Sequence, residues 1–142
     1  MKFPCYLVAV LLFTSCNVKV NENSGEQISE EKTKAVLDHH WEAFQANDLE
    51  GTMEDYTEES VLITPNGTYK GLDQIRENFV AAFNMFPTDS SSLKLTKSLV
   101  VQDVGYILWQ AQTPAFNLSY ATDTFIIRNG KIIRQTYAGV AE

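Results

Sequence analysis

The sequence predicts an α+β domain, a cone-shaped curved antiparallel sheet with three helices packed on its concave face. Three observations carry this expectation. Helical periodicity governs the first half of the chain, between Ser29 and Phe86. Apolar and polar residues alternate with period two through much of the second half, from Leu93 onward. Hairpin chemistry stands in both halves, at Pro65-Asn66-Gly67 and at Asn129-Gly130.

The elements follow in order. Ser29 is placed to cap the first helix, with Glu30 and Glu31 in its first turn, where the helix dipole favours acids. Val36, His40 and Phe44 recur at helical spacing with Leu37 and Trp41 beside them, so a single histidine interrupts the apolar face. His39 lies about 100° round the helix from His40 and is expected to face solvent. Asn47-Asp48 stops this helix, and Asp48 caps a second, short one whose buried side is Leu49, Met53 and Tyr56. A strand over Val61–Thr64 turns at Pro65-Asn66-Gly67 and returns through Thr68–Lys70. Gly71 opens the third helix, where Leu72, Ile75, Phe79, Phe83 and Phe86 form one apolar stripe before Pro87 ends it. Four long strands are expected over Leu93–Val101, Tyr106–Thr113, Phe116–Arg128 and Lys131–Gly139. The first two are joined by a turn at Asp103-Val104-Gly105 and the last two by Asn129-Gly130.

Residues 1–16 read as an address rather than as part of the fold. Lys2 is followed by the short apolar run Tyr6–Phe13, and Phe13-Thr14-Ser15-Cys16 has the form of a bacterial lipoprotein box, with Cys16 the lipidated residue. Residues 17–29 are polar and read as a flexible tether, leaving 30–142 as the domain. The expected location is the bacterial cell envelope, with the membrane reached through the lipid on Cys16. The cysteines are Cys5 and Cys16, so the domain has neither a disulfide nor a thiol nucleophile. Net charge is −7 at neutral pH with no basic cluster, which argues against nucleic acid as a partner. Two adjacent histidines on one helix do not form a metal site, and neither a G-x-S-x-G elbow nor a glycine-rich phosphate loop occurs, so no metal or cofactor is implied.

Four segments carry a family resemblance: Trp41–Gly51 (WEAFQANDLEG), Tyr56–Val61 (YTEESV), Pro65–Gly71 (PNGTYKG) running into Ile75-Arg76, and Asp123–Ile132 (DTFIIRNGKI). In their order and spacing the chain resembles the nuclear transport factor 2-like superfamily, in its SnoaL-like and ketosteroid-isomerase-like branch. The resemblance implies a cone with a deep apolar pocket, often dimeric through the outer face of the sheet. The functions found on this fold range from isomerases, cyclases and dehydratases to non-catalytic binding modules. In the isomerase branch an oxyanion-hole tyrosine on the first helix corresponds to His40, the general-base aspartate before a proline to Thr64, and a protonated aspartate on a late strand to Asp123. A threonine hydroxyl is not ionised at neutral pH and cannot serve as that base.

His40 and Asp123 are therefore the candidate acid–base residues, each with a purely structural alternative. His40 can be a core histidine bonded to the sheet backbone or to Asp123, and Asp123 can pair with a neighbour on the sheet. Trp41, Tyr56, Tyr69, Phe83, Trp109 and Tyr120 are the expected lining of a ligand pocket, aromatic bodies with polar tips on an apolar wall. The leading expectation is a lipid-anchored domain that binds a small, largely apolar molecule. Two other classes fit the same residues: an isomerase, cyclase or dehydratase using His40 or Asp123, and a module that dimerises or meets a protein partner through its sheet.

Overall fold

The computed structural model describes residues 28–142. The leader, Cys16 and the tether as far as residue 27 lie outside the described residues. Three helices, α1 (Glu30–Gln45), α2 (Leu49–Glu54) and α3 (Gly71–Met85), are interleaved with the hairpin β1 (Val61–Thr64) and β2 (Gly67–Lys70). Four long strands follow, β3 (Ser92–Val101), β4 (Val104–Gln112), β5 (Asn117–Arg128) and β6 (Lys131–Ala141). The caps are those the sequence indicates. Ser29 Oγ accepts from the Lys32 amide at 3.3 Å, and Asp48 Oδ1 accepts from the Gly51 amide at 3.0 Å.

The six strands form one sheet in the order β2-β1-β6-β5-β4-β3. Four of the five neighbouring pairs are antiparallel, but β1 runs parallel to β6, with Val61 opposite Arg134 and Ile63 opposite Thr136. The early hairpin is thus an edge extension of the late sheet, so the sheet is mixed rather than wholly antiparallel. A second difference lies between β3 and β4. The turn is Gln102-Asp103, with Gln102 at φ +55°, and Gly105 is already inside β4. Gly105 has another reason to be glycine: a Cβ there would meet both Leu37 methyl carbons at 3.2 Å, so its absence lets α1 approach the sheet.

The helices close the concave side. Leu37, Trp41, Ile75, Phe79 and Phe86 pack against Ile107, Trp109, Ala121, Phe125 and Ile132. Ile75 and Phe125 are wholly inaccessible to solvent, and burial of such a side chain contributes about 2–3 kcal/mol each. One polar residue ties two helix ends together. Asn47, at φ +53° after α1, donates from Nδ2 to the carbonyls of Phe83 (3.3 Å) and Phe86 (2.9 Å) at the end of α3. The Phe83 carbonyl also accepts from the Phe86 amide at 3.2 Å, so Asn47 gives it a second donor and meets the Phe86 carbonyl where the helix has ended.

Asn47→Ala loses both bonds and places a Cβ residue in the left-handed region, and is expected to cost about 2 kcal/mol in urea unfolding, whereas Asn47→Gly loses only the bonds and costs about 1 kcal/mol. Equal losses would remove the backbone contribution, and no loss in either variant would remove the tie itself.

Candidate functional site

Helices and sheet enclose a cavity of about 520 Å³. Its walls are mainly Trp41, Phe44, Leu62, Phe79, Phe86, Ile107, Trp109, Phe116, Leu118 and Phe125. Exposure falls from one end to the other. Asn66, Ala81 and Met85 lie at a solvent-facing rim, and His40, Asp123, Gln135 and Phe125 at a floor where none exceeds 5 % exposure. The buried polar groups are therefore gathered at the deep end of a mainly apolar chamber, while Thr64, Asn66, Tyr69 and Asn78 line its more accessible part. The buried cluster is the arrangement of a site that orients one polar group of a ligand.

Asp123 owes its position to strand alternation. On β5, Leu118, Ala121, Asp123, Phe125 and Ile127 point inward. Trp109 Nε1 donates to Asp123 Oδ2 at 2.8 Å, and Gln135 Nε2 donates to Asp123 Oδ1 at 2.8 Å. Burial pushes the carboxyl above its ordinary value of 3.8; the two hydrogen bonds and the charge of His40 pull in the opposite direction and are outweighed.

The bonds continue beyond Asp123. The Tyr56 hydroxyl donates to Gln135 Oε1, and His40 Nε2 lies 3.3 Å from the same hydroxyl. With its one proton directed to Gln135, the Tyr56 oxygen is left to accept from Nε2. His40 Nδ1 in turn lies 3.2 Å from Asp55 Oδ2, and His39 Nδ1 lies 2.9 Å from Asp55 Oδ1. Asp55 is buried, while the His39 side chain is 47 % exposed. One unbroken chain therefore leads from the cavity floor through the wall to solvent: Asp123, Gln135, Tyr56, His40, Asp55, His39. The rings of Tyr56, Phe79 and Phe125 meet the His40 imidazole edge-on at centroid distances of 5.3–5.7 Å and fix its plane. Burial, then the charges of Asp123 and Asp55, push the Tyr56 hydroxyl well above its ordinary range, so it stays protonated.

The residues singled out by sequence fall into three groups. His40, Trp41, Tyr69, Trp109 and Asp123 line the cavity, as does Thr64. Tyr56 and Phe83 do not. Tyr56 is buried in the wall as a link in the chain, and Phe83 packs between Phe44 and Phe79 behind the lining. Tyr120 is a correction: it is 44 % exposed on the outer face of the sheet, because it alternates with the inward Ala121. His40 and Asp123 are not bonded to each other, and Tyr56 and Gln135 stand between them. At the position where the isomerase branch has its base, the Thr64 hydroxyl is engaged in the β1–β2 turn, accepting from the Asn66 amide at 3.1 Å and facing the Gly67 carbonyl at 3.4 Å.

Two members of the chain escaped the sequence reading. Asp55 sits at the end of a six-residue helix and reads as one more solvated acid. Gln135 is hidden by a β-bulge. On β6, Ile132 is opposite Ile127, but Arg134 is opposite Ile126, so Ile133 is an extra residue. Strict alternation from Ile132 would turn Arg134 inward and Gln135 outward; the bulge reverses this.

The SnoaL-like domain family matches residues 37–135. No curated protein matches the sequence. Among solved structures, a protein of unknown function from Burkholderia xenovorans LB400, similar to nuclear transport factor 2, superposes with a TM-score of 0.65 at 17 % identity, covering 78 % of this chain and 84 % of that one. A candidate ketosteroid isomerase from Kribbella flavida DSM 17836 gives 0.66 at 14 % identity, covering 81 % of each chain. A candidate polyketide cyclase from Sinorhizobium meliloti gives 0.64 at 18 % identity, covering 78 % of this chain and 99 % of that one. At these identities the likeness is one of fold alone. The family match spans both helical and sheet halves of the cone, including His40, Asp55, Tyr56, Asp123 and Gln135, and on that ground the chain belongs to the SnoaL-like domain family.

Proposed function

We propose that this SnoaL-like domain binds a small, largely apolar molecule whose single polar group meets Asp123 at the cavity floor. The observation that carries the reading is the pairing of a 520 Å³ apolar chamber with one buried, bonded polar cluster at its deep end. A carboxyl oxygen has two acceptor directions, and Trp109 and Gln135 each occupy only one on their respective oxygens, so Asp123 retains capacity for a ligand hydroxyl. The lipoprotein box ending at Cys16 supports presentation of the domain in the cell envelope on a lipid anchor. Self-association through the outer sheet face is part of the same proposal. Leu99, Val101, Tyr120 and Val140 are exposed there, with Tyr120 and Val140 directly opposite each other.

A second reading, acid–base turnover of the bound molecule in the manner of an isomerase, cyclase or dehydratase, is favoured by one observation. Burial holds the Asp123 carboxyl above its ordinary range, closer to neutrality, where a proton is more readily exchanged with substrate. The candidate isomerase and cyclase among the structural neighbours lend support at the level of fold only.

Native mass spectrometry of the chain purified gently from its own host is expected to find a retained small organic molecule. Ala82→Trp, which fills the chamber without touching the floor, is expected to abolish retention. Asp123→Asn is expected to weaken it by about 10- to 100-fold, the worth of one hydrogen bond to a charged group. An empty wild-type chain would overturn the binding reading, and conversion of the recovered molecule by wild type but not Asp123→Asn would establish turnover.

The raised titration of Asp123 also has a signed effect on stability. Between 3.8 and its folded value the native state holds a proton that the unfolded state has lost, so this group's contribution to stability falls as pH rises through that window. The stability difference between wild type and Asp123→Asn, measured by urea unfolding at successive pH values, is expected to shift against wild type as pH increases from 4. A flat difference would show that burial does not govern this carboxyl.

A further inference from the structure

We propose that Asp123 and His40 share one proton, and that Gln135, by turning its amide end for end, lets the cavity floor stand either as a carboxylate backed by an imidazolium or as a carboxyl backed by a neutral imidazole. This is a property of the cavity wall and goes beyond the binding reading, since it does not depend on what fills the chamber.

The geometry admits two complete bonding patterns over the same heavy atoms. In the first, His40 carries protons on both nitrogens. Nδ1–H donates to Asp55, Nε2–H to Tyr56, the Tyr56 hydroxyl to Gln135 Oε1, and Gln135 Nε2 to the Asp123 carboxylate. In the second, every bond between His40 Nε2 and Asp123 is reversed. The Asp123 carboxyl donates to the amide oxygen, the amide nitrogen donates to the Tyr56 oxygen, and the Tyr56 hydroxyl donates to His40 Nε2. His40 Nδ1–H still donates to Asp55. The count balances. One proton has left His40 Nε2, one has appeared on Asp123, Tyr56 keeps its single hydroxyl proton, and the net charge of the group is the same. Neither pattern leaves a donor facing a donor.

Two features make Gln135 and Tyr56 suited to this. A primary amide occupies nearly the same volume in both orientations, so its reversal needs no repacking in a floor that is at most 5 % exposed. Tyr56 stays protonated, so its hydroxyl has one donor direction and must point either to Gln135 or to His40. The titratable groups that face the pair from the packed elements are His39 on α1, Asp55 and Tyr56 after α2, and Tyr137 on β6, which is opposite Asp123. From α3 and β4 the nearest faces are Phe79 and Trp109, neither of which titrates. Asp55 accepts the Nδ1–H in both patterns, so only Nε2 takes part.

The consequence for the site is that the chamber can be neutral or charged at its floor without exchanging a proton with its occupant. An occupant with a hydroxyl selects the carboxylate; an aliphatic occupant selects the carboxyl, because a buried charge without a further partner is costly.

The test is a titration of the full chain, held in mild detergent, with ¹³C-labelled aspartate and ¹⁵N-labelled histidine, across about pH 4 to 9, the span of ordinary carboxyl and imidazole titration. Two groups that share a proton report both steps of the pair. The Asp123 carboxyl carbon and His40 Nε2 are each expected to show two inflections at the same two pH values. In Gln135→Met, which keeps bulk and removes the amide, each is expected to show one inflection of its own, while the His40 Nδ1 proton to Asp55 persists. Tyr56→Phe, which keeps the ring packing and removes the hydroxyl, is expected to do the same. A single inflection for each group in wild type would overturn the proposal irrespective of how the variants fold. Two shared inflections that survive in a folded Gln135→Met would overturn the role of the amide.

Discussion

Enclosing a carboxyl group beneath aromatic side chains carries an obligation, because a buried acid without partners costs more than a small domain can spare. Asp123 meets that obligation with Trp109 and Gln135, and each solution creates the next requirement. The amide that donates to Asp123 presents its oxygen to Tyr56, and the tyrosine hydroxyl in turn meets His40 Nε2. The imidazole then needs an acceptor behind it, which is Asp55, and Asp55 is completed by His39 at the surface. The placing of one acid on β5 therefore constrains residues on α1, on the segment after α2, on β4 and on β6. In the aromatic walls there is more freedom, since an apolar surface of similar volume serves as well.

The chain also explains how the site departs from the isomerase pattern that the sequence resembles. A threonine at position 64 is bound into its own turn, and the buried carboxyl of the cavity is Asp123 at the floor. A histidine takes the helical position and is held at both nitrogens. What results is a mainly apolar chamber with its buried polar groups at one end.

The fold and half of the site could be read from the sequence because they depend on local patterns. The stripe from Leu72 to Phe86, the caps at Ser29 and Asp48 and the Asn129-Gly130 turn all act over a few residues. His40 stood out as the one polar residue on an apolar helical face, and Asp123 as the one acid on an apolar strand face. Gln135 could not be read, because a single inserted residue at Ile133 reverses the strand's phase and leaves no compositional trace. Asp55 was hidden among acids. Its partner His39 was expected to face solvent and does, but its bond to a buried carboxylate depends on how α2 returns towards α1. Tyr120 was legible and misplaced, since its alternation with Ala121 and Asp123 turns it outward whatever its aromatic character. The parallel pairing of β1 with β6 joins segments half a chain apart, and neither strand alone signals it.

That pairing makes the last strand a keystone. In the order β2-β1-β6-β5-β4-β3, β6 alone joins the early hairpin to the later meander. While the chain is being synthesised, the hairpin and all three helices emerge before the strand that unites them with the sheet. The aromatic stripes of α1 and α3 must wait, with the surface they will cover incomplete, until β6 has emerged. A topology so dependent on distant contacts folds slowly and late. Loss of the terminal strand would leave two unjoined pieces of sheet, one bearing part of the rim and the other most of the floor.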